Sequence, residues 1–247
     1  MKITIHRGNQ IGGCITEIVS SKGTRIFVDL GHNLPKGDEE SEDEFASEEA
    51  IADLIGDARA IFYTHMHGDH VELFQYVPDG VEQYIGPLAL NIMKAKYEHM
   101  SHAEALKENS DKCLRKLEPF KTYRKGRPIA IDDITITPFQ VSHSSADSYM
   151  LKIKCDGKTI LHTGDFAGPP YLSSHKLCKR MGCIDHQIDL LFLYHLCHLL
   201  LIHTSKKDFR ILMLSGTFFS IFGCGTDINF YISSIQKFRN PPSLCCP

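Results

Sequence analysis

Residues 64–70 read Thr-His-Met-His-Gly-Asp-His, which sets three imidazoles and a carboxylate within six positions, directly after the apolar run Ala60-Ile61-Phe62-Tyr63. Imidazole nitrogens and carboxylate oxygens are the donors that Zn²⁺ and similar borderline ions take. Alternate side chains of an extended segment share a side, so His65 and His67 can face one ion. Asp69 and His70, past the flexible Gly68, can then face a second. With 14 His and 17 Asp in 247 residues, such a pattern arises by chance in roughly 0.3% of chains. The sequence is therefore read as a metal site rather than as three unrelated surface histidines.

Further donors would have to come from other strand ends, where a rigid scaffold can aim side chains into one cleft. His143 follows the stretch Ile134 to Val141, in Val-Ser-His-Ser-Ser-Ala-Asp-Ser-Tyr, and Asp165 follows Thr159 to His162, in His-Thr-Gly-Asp-Phe. A lone His or Asp at a strand end is more often a cap or turn residue. A pair of ions, however, needs more donors than residues 65–70 supply, and both residues become candidate ligands on that ground. His99 and His102 lie three apart on a helical pattern but lack a third donor at ligand spacing, so they are read as surface residues.

The elements that must position these groups alternate along the chain. Lys2 to His6, Cys14 to Val19 and Thr24 to Asp29 read as strands, with turns at Gly12-Gly13 and Lys22-Gly23, and predict an opening antiparallel meander. Residues 37–49 hold eight acids and no base; they read as a solvated loop ending at Ser47, the cap of an amphipathic helix through Ala50, Ile51 and Leu54. Ala60 to Tyr63 is a buried strand, and Val71 to Tyr76 a short helix closed by Pro78-Asp79-Gly80. Good helix formers from Pro87 to Leu117 predict one or two outer helices. Strands resume at Pro128 to Ile131, Ile134 to Gln140, Tyr149 to Lys154 and Lys158 to His162, the last two joined by the hairpin signal Asp156-Gly157.

Composition narrows the function classes. A hydrophobic content of 43% supports a sizeable core, in one large domain or two small ones, and indicates neither disorder nor a coiled coil. A net charge of −3 excludes a globally basic nucleic-acid binder, but Lys112 to Arg127 carries seven Lys or Arg against Glu118 alone. That stripe is either a solvated helix face or a phosphate-facing surface. Nine cysteines without regular spacing, and an opening Met-Lys-Ile-Thr with no apolar signal segment, predict a reducing, cytoplasmic setting. Ile188 to Ile202 and Ile211 to Phe222 are apolar but shorter than a membrane span needs, and are read as core segments.

Taken together, these motifs resemble the metallo-β-lactamase superfamily of metal-dependent hydrolases over about residues 1–166. Phe27-Val28-Asp29-Leu30-Gly31 matches its first motif, His65-Met66-His67-Gly68-Asp69-His70 its second, His143 its third and Asp165 its fourth. Asn9-Gln10-Ile11-Gly12-Gly13-Cys14 and His143-Ser144-Ser145 look most like the nuclease branch that includes ribonuclease J and the β-CASP enzymes, exonucleases among them. The resemblance implies an α/β fold, a four-layer αββα sandwich with metals at one edge between two mixed sheets. It implies two divalent ions, zinc first, with Mn, Fe or Co also accepted. His65, His67 and His143 would hold one ion, Asp69 and His70 the other, and Asp165 would bridge them. Asp29 would orient the histidine loop from behind, and Asp69 would also steer or deprotonate the attacking water.

The pattern breaks after Phe166. The family's fifth motif, a late strand-end histidine, has its candidate in His203. No glutamate follows Glu118, and residues 168–247 hold four acids against eight bases. The expectation is a metallo-β-lactamase-like domain over 1–166 and a divergent, non-native C-terminal segment over 167–247, which would leave the sandwich incomplete. Three functions follow: a phosphodiesterase or nuclease acting on single-stranded RNA or DNA; a small-substrate thioester, lactone or phosphoester hydrolase; or a metal-binding remnant without turnover. No membrane association is expected, and the sequence sets no oligomeric state.

Overall fold

Alternating apolar residues in the first thirty positions fold as the expected meander, with β1 (Lys2–Ile5), β2 (Ile15–Val19) and β3 (Arg25–Leu30) pairing antiparallel. The computed structural model describes residues 1–8, 12–34 and 43–165, and the backbone of Leu190–Phe192 and Ile221–Gly223. Helix α1 (Glu48–Ile55) starts where its cap predicts, with the Ser47 hydroxyl accepting the Ala50 N–H at 3.1 Å. Strand β4 (Ala60–Phe62) then lies parallel to β3, and the metal motif leaves it through α2 (Gly68–Val71) and a 3₁₀ turn, Glu72–Tyr76.

Two strands were not visible as alternation in the sequence. β5 (Glu82–Ile85) and β6 (Lys121–Thr122) extend the first sheet in parallel beyond β4, and α3 (Pro87–Met100) and α4 (Glu104–Leu117) fill the crossover between them. β5 reads as polar because Glu82 and Tyr84 pair with one another and Gln83 is buried, accepting from the Tyr63 hydroxyl at 2.7 Å. The first sheet thus has the order β1-β2-β3-β4-β5-β6.

The second sheet is an antiparallel run of β7 (Ile129–Ile131), β8 (Ile134–Val141), β9 (Ser148–Cys155) and β10 (Lys158–His162), with the Asp156-Gly157 turn where the sequence places it. β11 (Leu190–Phe192) adds in parallel to β10, and β12 (Ile221–Gly223) pairs antiparallel with β11. Both come from the part of the chain expected to be divergent, and both belong to the sheet.

Side-chain alternation assigns each strand two faces. Phe27 and Ile61 point outward against Ile51, Ile55, Leu90 and Leu117 of the helices, while Ile26, Val28, Ala60 and Phe62 point inward against Ile134, Ile136, Leu151, Ile153 and Ile160 of the second sheet. The central strands β3 and β4 are buried on both sides, which is why they read as continuous apolar runs. Each fully buried Phe or Ile contributes about 1.5–3 kcal/mol. Layers of helix, sheet and sheet result, in the order of an αββα sandwich; the described helices all lie on the first sheet. No helix among the described residues is long and apolar enough to cross a membrane.

Strand direction brings the candidate site together. The C-terminal ends of β3, β4, β8 and β10 share one edge of the sandwich, and the Tyr149 N–H donates to the Thr64 carbonyl at 2.9 Å across it.

Candidate metal centre

Asp29 is the base on which the centre is assembled. In the β2–β3 pairing Thr16 faces Val28 and Ile15 faces Leu30, so Asp29 is an extra residue, a bulge, with φ at 60°. Aspartate tolerates this left-handed conformation better than most residues. The fully buried carboxylate accepts three hydrogen bonds, from the Thr64 N–H (2.7 Å), the Thr64 hydroxyl (2.9 Å) and His70 Nδ1 (2.8 Å). Those donors offset the cost of burying its charge.

The same bonds fix two tautomers. Thr64 spends its hydroxyl proton on Asp29, so Thr64 Oγ1 accepts from His65 Nδ1 at 3.0 Å. His70 Nδ1 donates to Asp29. In both rings Nε2 is turned toward the cleft and, in the neutral ring, carries the lone pair that a metal ligand requires.

Gly31 lets the loop approach. A Cβ on Gly31 would lie 1.7 Å from the Asp69 carbonyl oxygen, so no other residue fits there. The loop backbone is pinned to the β2–β3 end by Cys14 N–H donating to the Asp69 carbonyl (2.8 Å) and His32 N–H donating to the Gly68 carbonyl (2.9 Å). The motif Asp29-Leu30-Gly31 therefore contributes one orienting carboxylate and one absent side chain. On the second sheet, the loop carrying His143 is tethered at Asp147, whose carboxylate accepts the Leu88 N–H at the start of α3 (2.7 Å).

Two donor groups result. The ligand atoms of His65, His67 and His143 lie within 4.8 Å of one another, as do those of His65, His70 and Asp165. Within the first, His67 Nδ1 is 3.1 Å from His65 Nε2 and 3.3 Å from His143 Nε2. Asp165 faces both: Oδ1 is 3.6 Å from His70 Nε2 and Oδ2 is 3.8 Å from His143 Nε2. Asp69 sits beside the second group, with Oδ2 3.8 Å from His70 Nε2 and its side chain 22% exposed. His203 lies outside the described residues.

The donor set fits a divalent cation. Burial, with His70, His67 and His143 alongside, lowers the His65 pKa to about 2, so its imidazole stays neutral and able to donate a lone pair. At His70 burial opposes a charge, yet Cys14, Asp29 and Asp165 outweigh it and hold the pKa well above the ordinary value. A site that favours positive charge on a ring favours a cation in place of that proton.

Sequence reasoning did not single out His162, which is fully buried under the centre. Its Nδ1 accepts the Gly164 N–H at 3.3 Å and its Nε2 lies 3.4 Å from Thr16 Oγ1. Burial lowers its pKa to about 4. The available signal was a histidine closing an otherwise apolar strand. Thr64 was likewise in view only as the residue preceding the motif.

The basic stripe is partly committed elsewhere. Lys112 pairs with Glu48 (2.8 Å), Lys116 with Asp79 (2.8 Å) and Lys121 with Glu82 (2.5 Å). Arg124, Lys125 and Arg127 are exposed, next to Tyr123, whose hydroxyl donates to the Tyr63 carbonyl at 3.0 Å, one residue before Thr64. His99 and His102 are exposed on α3 and just beyond it, ring centroids 6.5 Å apart, and join neither donor group.

Comparison with known proteins agrees with this architecture. Ribonuclease J of Helicobacter pylori is 31% identical over 173 residues, a match covering 67% of this chain and 23% of that protein. Ribonuclease J of Mycobacterium tuberculosis is 25% identical over 162 residues, covering 64% of this chain and 26% of that protein. The chain thus spans about a quarter of the length of the curated relatives it matches. A crystal structure of a protein of unknown function from Enterococcus faecalis V583 superposes with a TM-score of 0.59 at 19% identity, over 77% of this chain and 49% of that one, a likeness of fold. Residues 42–193, which run from the acidic loop through the histidine motif, His143 and Asp165 to β11, match the family described as the beta-lactamase superfamily domain. With that match over more than half its length, and with the sandwich and donor groups just described, the chain belongs to the metallo-β-lactamase superfamily.

Proposed function

We propose that this protein is a metal-dependent hydrolase with two divalent ions, zinc first among them, that cleaves phosphodiester bonds in single-stranded RNA or DNA. The observation that carries the reading is Asp165, whose two carboxylate oxygens face different donor groups. His65, His67 and His143 would hold one ion and Asp69 and His70 the second, with Asp165 between them. Bound there, divalent ions acidify water and stabilise negative charge on phosphate oxygens. The chain's own residues set up that chemistry. Asp29 keeps the His70 Nε2 forward, Thr64 keeps the His65 Nε2 forward, and Asp69 Oδ2, partly exposed beside the centre, is placed to take a proton from the attacking water.

The nucleic-acid substrate is supported by the likeness to ribonuclease J and by the exposed Arg124, Lys125 and Arg127. A second reading, hydrolysis of a small thioester, lactone or phosphoester, is favoured by the ion pairs that occupy Lys112, Lys116 and Lys121. A reducing, cytoplasmic setting is supported by the buried free thiols Cys14, Cys113 and Cys155. The division into a metal-bearing unit over 1–166 and a divergent segment over 167–247 is part of the same proposal, and limited proteolysis followed by mass analysis tests it.

The deciding experiment measures bound metal and turnover together, on wild type, His67→Ala and an Arg124→Glu/Lys125→Glu pair. Cleavage of labelled single strands that is lost with His67→Ala, and whose KM rises about tenfold or more on charge reversal as phosphate contacts are lost, is the expected outcome. Small-ester turnover indifferent to charge reversal favours the second reading. Bound metal without turnover of any substrate identifies a remnant.

A further inference from the structure

We infer that His162 is the positioning residue that sets the reach of Asp165 into the metal centre. The inference rests on the metal-centre reading above. His162 ends β10, fully buried, three residues before Asp165. Its Nδ1 accepts the Gly164 N–H at 3.3 Å, so the proton of the neutral ring sits on Nε2, which donates to Thr16 Oγ1 at 3.4 Å. One ring therefore ties the end of β10 in the second sheet to β2 in the first, and at the same time shapes the turn that carries Asp165.

The turn is held from its other side as well. Gly164 has φ at 53°, and a Cβ there would come within 2.8 Å of the Thr64 Cβ. Thr64 is the residue that orders both Asp29 and His65. The Asp165 carboxylate is thus delivered between two fixed supports, the His162 ring and Thr64, to points 3.6 Å from His70 Nε2 and 3.8 Å from His143 Nε2. Both His162 nitrogens are engaged in this support, so the ring is a brace and not a further ligand.

Zinc titration against a chromophoric chelator tests this on the full chain, for wild type, His162→Leu, His162→Asn and Thr16→Val, each also in an Asp165→Ala background. Removing a support of a ligand weakens metal binding about 10–100-fold, and that is the expected loss for His162→Leu. Asparagine places Oδ1 where Nδ1 was and accepts the Gly164 N–H, so His162→Asn restores affinity to within a few-fold of wild type. In the Asp165→Ala background His162→Leu weakens binding no further. Unchanged affinity in His162→Leu, equal loss in His162→Asn, or an undiminished loss in the Asp165→Ala background overturns the inference. If His162→Leu lacks the wild-type circular dichroism, Thr16→Val decides, because it exchanges the hydroxyl that accepts from His162 for a methyl of similar size. A weakening that vanishes with Asp165→Ala supports the brace, and none overturns it. Wild type that binds no zinc refutes the metal-centre reading itself, whereas zinc-binding variants that match a zinc-binding wild type refute only the role of His162.

Discussion

At the scale of residues, the centre depends on carboxylates and hydroxyls that sit behind the donors. Asp29 illustrates this, because it faces no cleft and yet sets the tautomer of His70 directly and that of His65 through Thr64. Asp29→Asn keeps the shape and the left-handed backbone but replaces one acceptor oxygen by a donor, which opposes the Thr64 or His70 hydrogen. The expected outcome is zinc affinity lowered by about 10–100-fold in a chain that still folds, measured by chelator competition and circular dichroism. Wild-type affinity in Asp29→Asn would refute the orienting role. The candidate donors stood out in the sequence because their types and spacing are those of coordination chemistry. Thr64 and His162 were not, since a threonine beside a strand and a histidine closing one have ordinary structural explanations until their partners, 35 residues away for Thr64 and 146 for His162, are seen.

At the scale of elements, loops are aimed by the strands they leave and by close backbone approach. The Gly31 site admits no Cβ against the Asp69 carbonyl. Gly31→Ala must therefore displace the 68–70 loop, with a stability loss of about 2–4 kcal/mol and zinc binding lost, read by urea denaturation and metal titration. Ser47→Ala provides the contrast. It removes the hydroxyl that accepts the Ala50 N–H and should cost about 1 kcal/mol, while zinc affinity stays at wild type, since α1 packs on the outer face of the first sheet. Equal effects of the two substitutions on metal binding would contradict this account. The opening meander, the capped helix α1, the strand into the motif and the Asp156-Gly157 hairpin were readable because each is encoded by local periodicity and turn chemistry. β5 and β6 were not, because β5 hides polar groups in pairs made only after folding and β6 is two residues long.

At the scale of the molecule, burial of neutral histidines under the centre couples its stability to pH. His162 falls from an unfolded value near 6.5 to about 4 when buried. Below pH 6.5 the unfolded chain binds a proton that the native ring refuses until about pH 4, so the stabilisation is present above 6.5 and is lost as pH falls toward 4. Metal-stripped wild type should lose about 2 kcal/mol more than His162→Asn between about pH 7.5 and 5, measured by denaturation midpoints; parallel losses in the two proteins would remove His162 as the cause. The sequence by itself determined that this chain carries a histidine motif with the residue types and spacing of metal ligands on an alternating α/β scaffold, because ligand chemistry and hydrophobic periodicity are local properties. Only the tertiary structure decided that His65 belongs to both donor groups, that Asp165 faces each of them, and that Lys112, Lys116 and Lys121 are spent on acids. Those relations exist between residues far apart in the chain, and only the stacking of two sheets along one edge fixes the distances between them.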